Sequence, residues 1–386
     1  MNQQLQLIAT CAFGIESIVA NELRALGYTD LKVDRGRVAF SGPASAICRA
    51  NLWLRTADRV LLVIGEFEAR TFDELFDQTK ALPWAEWLPE DALFPVIGKS
   101  VKSQLSSVPA CQGIVKKAVV EAMAERYGRS RFEESGARYR ISVALLKDVA
   151  TLTIDTSGNG LHKRGYRDVA APAPLRETLA AAIVYLSNWH PDYILADPTC
   201  GSGTIPIEAA MIGRNIAPGA QRSFDALRWP ALPRELWTEA LEEADDLARP
   251  NQKLQIWGSD IAGEAITMSK HHAARAGFAE GELRFQVRPL SAFGAEQQYG
   301  YIVCNPPYGE RLGDLKAAET LYQQMGEVFP KLRDWSYVIL TPHEEFERLF
   351  RRAATHRRKL YNGAMKCWLY QYFGPRPPRN RQSDGG

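Results

Sequence analysis

Along residues 5–69 the chain switches between two periods. LQLIATC (5–11) is a short apolar run, and GIESIVANELRALG (14–27) spaces its apolar residues three and four apart before a glycine suited to a helix C-cap. LKVDRGRVAFSG (31–42) alternates around a turn at Asp34-Arg35-Gly36. PASAICRANLWLRTADRV (43–60) returns to helical spacing, and RVLLVIGEFEA (59–69) is again extended. The predicted order, β-α-β-β-α-β, is that of a ferredoxin-like α+β unit over residues 1–65. A second α+β unit is expected over 66–158. It comprises a helix from Thr71, with Glu74 placed for a capping box, a strand FPVIGKSV (94–101), a helix CQGIVKKAVVEAMAERYG (111–128) and two strands, RYRISVALLKD and VATLTIDTSG.

Residues 159–178 are rich in Gly and Pro and read as a junction. Beyond it the pattern changes. ILADPTCGSGT, LQIWGSD, LRFQVR, GYIVCNPPYG and WSYVILTP are apolar runs separated by helical segments. Strands that are apolar throughout and alternate with helices predict a doubly wound, mostly parallel α/β sheet covered on both faces, over 179–374. NGAMKCWLYQYFG (362–374) is expected to add a terminal antiparallel edge strand after an Asn-Gly turn, and the Pro/Arg-rich 375–386 a flexible tail.

Composition changes this picture little. A chain of 386 residues, 46% hydrophobic and 24% charged, fits a soluble protein of two or three domains. The net charge of +2 selects no partner, but its distribution does. Residues 99–140 hold nine Lys/Arg against four Glu, and 348–379 hold nine with no acid. Two basic zones in a near-neutral chain suggest a polyanion touching selected faces, with solvated helix faces as the plain alternative. The six cysteines form no CxxC pair and none sits at ligand spacing from a His, so no zinc or other metal site is expected. Scattered thiols fit the cytoplasm. The first residues lack the make-up of a signal peptide, and no apolar run approaches the ~18 residues of a membrane span.

In open parallel sheets ligands bind outside the carboxyl ends of the strands, so the residues following each strand carry the chemistry. The first run ends in Asp197-Pro198-Thr199-Cys200-Gly201-Ser202-Gly203. Its glycines permit close approach of a ligand, or simply a tight turn. Pro206 stands where a dinucleotide fingerprint needs its third glycine, and an acid at the strand end suits an ammonium better than a phosphate. The second run ends in Asp260, which can accept from a ribose diol, cap the next helix, or both. The fourth ends in Asn305-Pro306-Pro307-Tyr308. The prolines fix the backbone and bring no N–H, so the Asn305 side chain and the Asn305 and Pro306 carbonyls form acceptors without competing donors, beside the flat face of Tyr308. That set suits a planar ring with an exocyclic amine; a rigid turn with a packing tyrosine is the alternative.

DPTCGSGT, the strand-end acid and NPPYGER together resemble the class I S-adenosylmethionine (SAM)-dependent methyltransferases of nucleobase amines. More closely, the chain resembles the THUMP-domain RNA methyltransferases, which include bacterial 23S rRNA (guanine-N2)-methyltransferases often labelled N6-adenine DNA methylases. LHKRGYRDVAAPAPLRETLAAAIV is similar to that family's junction and FPVIGKSVKSQLSSVPACQGIVKKAVVEAM to its THUMP core. The resemblance implies a Rossmann-like methyltransferase domain preceded by ferredoxin-like and THUMP RNA-binding domains. It implies that Asp197, Thr199, Cys200, Gly201, Ser202 and Gly203 hold the methionine part of SAM. Asp260 and Ile261 would then serve the ribose side, with Glu177 lining the site, and Asn305, Pro306, Pro307 and Tyr308 would hold the target base. The family usually places an acid near the adenine amine after the third strand. This chain reads VRPLSAF (287–293), with Ser291 the nearest substitute. Lys99, Lys102, Lys116 and Lys117 in the THUMP-like region, with Arg164 and Arg167 in the junction, are the expected RNA contacts. The expected reaction is methyl transfer to guanine N2 of 23S rRNA, without metal or general base. A tRNA guanine, an adenine N6 in RNA or DNA, or a non-catalytic RNA-binding role are the alternatives.

Overall fold

The computed structural model describes residues 4–168, 175–309 and 312–376. These form two compact units. Glu16–Arg164 and Ala217–Leu247, with the strand before them, make the first; Ala12–Ile15, Gly165–Ile216 and the residues from Ala248 on make the second.

The first unit begins β1 (Leu5–Thr10), α1 (Glu16–Ala25), β2 (Leu31–Asp34), β3 (Arg37–Gly42), α2 (Ser45–Trp53) and β4 (Arg59–Glu68). It continues α3 (Phe72–Lys80), β5 (Val96–Val101), α4 (Val108–Tyr127), β6 (Arg140–Leu146) and β7 (Val149–Asp155). The expected capping box closes α3: Thr71 Oγ1 accepts from the Glu74 N–H, and the Glu74 carboxylate from the Thr71 N–H. The strands form one sheet, β2-β3-β1-β4-β7-β6-β5. Its first four are antiparallel, the ferredoxin-like arrangement. The long β4 also pairs with β7, so the same sheet runs on through both α+β halves.

The second unit contains α5 (Glu177–Leu186), β8 (Leu195–Asp197) and α6 (Thr204–Gly213). The chain then leaves it. Residues 217–247, which include α7 (Arg234–Leu247), lie within the range expected for the α/β domain yet belong to the first unit. There Trp229 stacks on Tyr139 at 4.6 Å and 17°, and its indole N–H donates to the Arg138 carbonyl at 3.0 Å. Both Arg49–Glu243 contacts, at 2.6 and 2.7 Å, tie α7 to α2.

The second unit resumes with β9 (Ile256–Asp260), α8 (Gly263–Arg275), β10 (Arg284–Val287), β11 (Tyr301–Cys304), α9 (Leu312–Val328), β12 (Ser336–Thr341), α10 (Phe346–Phe350), β13 (His356–Asn362) and β14 (Met365–Tyr372). Its sheet order is β10-β9-β8-β11-β12-β14-β13. The first five strands are parallel, and β14 runs antiparallel to both neighbours. The terminal strand is therefore not the edge: β13 is. β13 escaped the sequence reading because HRRKLYN looks like part of a charged zone. Only Leu360 in it is buried, and Arg357 lays its guanidinium 3.8 Å over the Trp368 ring.

Candidate active site

Strand order in the second sheet reverses between β8 and β11: β9 and β10 extend one way, β12 the other. Such a switch point opens a crevice beyond the carboxyl ends of the two central strands. Asp197 ends β8 and is 2% exposed. Its Oδ1 accepts from the Thr199 N–H at 3.1 Å, and the Thr199 hydroxyl is 3.5 Å away. Burial, and after it the charge of Asp260, push this carboxyl up to about 8, partly offset by the Thr199 bonds.

The loop after Asp197 is braced from two sides. The Cys200 N–H donates to the Ser259 carbonyl of β9 at 2.9 Å. Gly201 and Gly203 have φ of +51° and +81°, which favours glycine. A side chain at Gly203 would also press on Ser269, while the space beyond Gly201 is open. From α8, Ser269 Oγ stands 2.7 Å from the Gly201 carbonyl. His272 Nδ1 is 3.1 Å from the Ser202 carbonyl. Burial holds the His272 imidazole below its usual pKa, so the neutral ring carries its proton on Nδ1 to meet that carbonyl. Neither residue was expected from the sequence. Their only signal is a polar pair one turn apart on the buried face of an amphipathic helix, with Ile266 and Ala273.

Asp260 does two jobs. Its Oδ1 accepts from the Ala262 N–H at the start of α8, and its Oδ2 from the Gly201 N–H, both at 3.0 Å. A carboxylate has about four acceptor positions, so lone pairs remain for a diol. Beside it Ile261 is 76% exposed, and Val287, paired with Asp260 in register on β10, is 60% exposed. Two bare aliphatic side chains flanking an acid at adjacent strand ends form an apolar bed that Val287's place in the sequence did not advertise. Ser291 lies exposed in the short 3-10 turn Leu290–Ala292.

At the end of β11, Asn305 and Tyr308 are half-buried, Pro306 is buried and Pro307 exposed. The Tyr308 hydroxyl donates to Asn305 Oδ1. It also lies by Asn362 and Cys367, and burial pushes it well above the usual tyrosine range. Asn305 Oδ1 is thus already an acceptor, with one lone pair left. The Tyr322 hydroxyl of α9 donates to the Pro307 carbonyl at 3.0 Å and fixes the turn. Glu310 and Arg311 of the motif lie outside the described residues, as do residues 169–174 of the junction and 377–386 of the tail.

The expected RNA contacts divide. Lys99, Lys102 and Lys117 are exposed. Lys116 is engaged within its own unit: its ammonium is 2.5 Å from Glu134, 3.1 Å from the Phe94 carbonyl and 3.5 Å from the Phe94 ring centre. Arg164 is 3% exposed and donates to the Leu161 and Arg55 carbonyls. Arg167 pairs with Glu177 at 3.3 Å and donates to the Leu175 carbonyl. All three thus spend their charge on carbonyls or carboxylates of their own unit. Glu177, 5% exposed, is held by Arg167 at the start of α5.

Residues 164–371 match the family model of the RMKL-like methyltransferase domain, 6–61 that of the RlmL ferredoxin-like domain, and 69–155 that of the THUMP domain. The chain belongs to the RMKL-like methyltransferase family. It is 50% identical, over 98% of both chains, to a Bacillus subtilis (strain 168) protein named "Putative RNA methyltransferase YpsC". It is 35% identical to the ribosomal RNA large subunit methyltransferase K/L of Syntrophotalea carbinolica, of whose length it spans 57%. A Listeria monocytogenes crystal structure, titled a predicted N6-adenine-specific DNA methylase, superposes with a TM-score of 0.93 at 52% identity, covering 97% of each chain. SMU.472, solved with S-adenosylhomocysteine (SAH), gives 0.92 at 46% identity, covering 98% of this chain and all of that one.

As in this family, SAM is the methyl donor. The residues fit it. Open space lies beyond Gly201, a deeply buried Asp197 has no cation beside it among the described residues, and Ile261 and Val287 stand bare beside Asp260. These suit, in turn, a close-lying chain, an ammonium and a purine–ribose.

Proposed function

We propose that this methyltransferase modifies the exocyclic 2-amino group of a guanine in large-subunit (23S) ribosomal RNA. The broad activity, SAM-dependent methylation of RNA, is that of the family; which amine and which RNA are our reading. The observation that carries it is Asn305, with one acceptor position left, at the end of β11 beside β8 and its Asp197. The rRNA methyltransferase K/L named above supports the choice of RNA.

In this reading Asp197 and residues 199–203 take the methionine part of SAM, Asp260 and Ile261 the ribose and adenine sides, and Ser291 the adenine edge. Bound there, SAM supplies an electrophilic methyl group. Asn305 Oδ1 and the Pro306 carbonyl accept the two amine hydrogens, which aims the nitrogen lone pair, and Tyr308 supports the base. No side chain is needed as a base before attack, because the nitrogen sheds its extra proton afterwards, to water. The barrier is lowered by orientation and fixed dipoles. Residues 1–65 and 66–158 serve RNA binding, and 179–374, apart from 217–247 in the first unit, the transfer. The cytoplasm suits the six buried, free cysteines.

A second reading has a specific support: the Listeria protein is named for methylation of adenine N6 in DNA. One experiment separates them. Incubation with labelled SAM and unmodified 23S rRNA, tRNA and duplex DNA, followed by nucleoside digestion, is expected to give N2-methylguanine from the rRNA. Label only in N6-methyladenine, or only in tRNA or DNA, overturns the proposal.

A further inference from the structure

Parallel sheets are normally covered on both faces, because each crossover carries a helix. The second sheet breaks this rule at one end. Arg284, Trp257, Ala196, Ile302 and Tyr337 lie in register across β10, β9, β8, β11 and β12, and so share one face. α9 covers the Ala196–Ile302–Tyr337 part of that face through Ala318, Tyr322 and Met325. The crossover from β10 to β11, residues 288–300, contains only the 3-10 turn. Over β9 and β10 this leaves an open groove of about 480 Å³.

Its lining is chemically selective. Arg284 holds its guanidinium 5.8 Å from the Trp257 ring centre; that of Arg288, 5.7 Å from the Phe293 ring centre, also donates to the Ala292 carbonyl. Gln286, exposed between the arginines on β10, offers an amide donor and acceptor. Glu296 is the one acid among the lining residues. Guanidinium groups, flat ring faces and a primary amide are the set that recognises single-stranded nucleotides: phosphate by charge, base by stacking and edge hydrogen bonds. The groove adjoins the site already described, since the Arg288 N–H donates to the Asp260 carbonyl at 2.9 Å. It lies two to three strand spacings from β11, about 10–14 Å at ~4.8 Å per strand.

We infer that this groove is a subsite for a nucleotide of the substrate RNA flanking the one that is methylated, its base against Trp257 and its phosphate on Arg284. The inference rests on the substrate being RNA, and not on which amine is modified. The test uses the full chain, its Arg284→Glu and Gln286→Ala variants, and a short labelled single-stranded RNA of mixed sequence. RNA affinity is measured over a salt series, and SAH affinity by calorimetry. Arg284→Glu is expected to weaken RNA binding about tenfold and to reduce the slope of log affinity against log salt by about 0.7. SAH affinity stays unchanged, and 4-thiouridine in the RNA crosslinks to the peptide containing Trp257. Equal RNA affinity and slope with no such crosslink overturns the subsite. So does a parallel loss of SAH affinity, which would make the groove part of the cofactor site. A wild-type protein that binds no RNA overturns the RNA reading itself, and the subsite with it.

Discussion

Asp197 is the residue whose chemistry most depends on its ligand. Its carboxyl is buried, accepts only from Thr199 among the described residues, and its pKa rises from 3.8 to about 8. The folded protein therefore keeps a proton that the unfolded chain releases. That contribution to stability is complete below 3.8 and fades as pH rises through about 8. In the proposed site an ammonium of the cofactor would favour the ionised form, and each pKa unit is worth about 1.4 kcal/mol. Binding of SAH near neutral pH is thus expected to release close to one proton from Asp197. Calorimetry in buffers of different ionisation enthalpy measures it; Asp197→Asn should abolish the release and weaken binding, and no release from the wild type would mean the ammonium does not meet Asp197. Asn305→Ala is expected to cut kcat about a hundredfold, the scale of losing one aimed hydrogen-bond partner, with SAH affinity within about twofold. Tyr308→Phe returns a lone pair to Asn305 and removes the hydroxyl beside Asn362 and Cys367 while keeping the ring, so single-turnover assays should find its rate within about tenfold of wild type. Tyr308→Ala, which also removes the ring, should lose about 1–3 kcal/mol of base stacking.

At the scale of elements, α8 braces the loop proposed to hold the cofactor. Ser269 and His272 each meet a loop carbonyl, and a Ser269→Ala protein leaves the Gly201 carbonyl without that hydroxyl. The expected result is SAH affinity about five- to tenfold weaker with little change in thermal midpoint, since one neutral hydrogen bond is worth about 1 kcal/mol. An unchanged affinity would make the brace redundant. This brace also marks the limit of what the sequence revealed. Strand ends were legible because their signals are local: a run of apolar residues, then Asp, Gly or Pro whose backbone preferences are intrinsic. Asp197, Asp260 and Asn305 do fall at the ends of β8, β9 and β11. The link between Ser269 and Gly201 spans 68 positions, and no local pattern encodes it. The same holds for residues 217–247, whose helical period is plain but whose place beside Tyr139 is decided by Trp229 and Glu243 finding partners far back in the chain. β13 was missed for the opposite reason: its local signal, charge, was real but described only its exposed side.

For the whole molecule, a net charge of +2 conceals how much of the basic inventory is spent internally. Arg59 and Arg140 meet Asp155, Lys116 meets Glu134, and Arg167 meets Glu177. Counting basic residues in a zone therefore overstates the surface offered to RNA. Within the first unit, Lys99 and Lys102 at the end of β5 stay exposed. Reversing both, Lys99→Glu with Lys102→Glu, should weaken RNA binding and lower the salt slope by about 1.5, as expected for two phosphate contacts. The thermal midpoint should barely move, because surface substitutions of this kind cost within about 0.5 kcal/mol. Lys116→Glu should behave in the opposite way. It sets a carboxylate against Glu134 and the Phe94 carbonyl, so the protein loses stability, while the RNA salt slope at a temperature where it remains folded stays that of the wild type. Filter binding over a salt series, run beside thermal unfolding, distinguishes the two. If Lys116→Glu lowered the salt slope with its midpoint intact, Lys116 would have to leave Glu134 to meet RNA, and the exposed lysines alone would not define the contact.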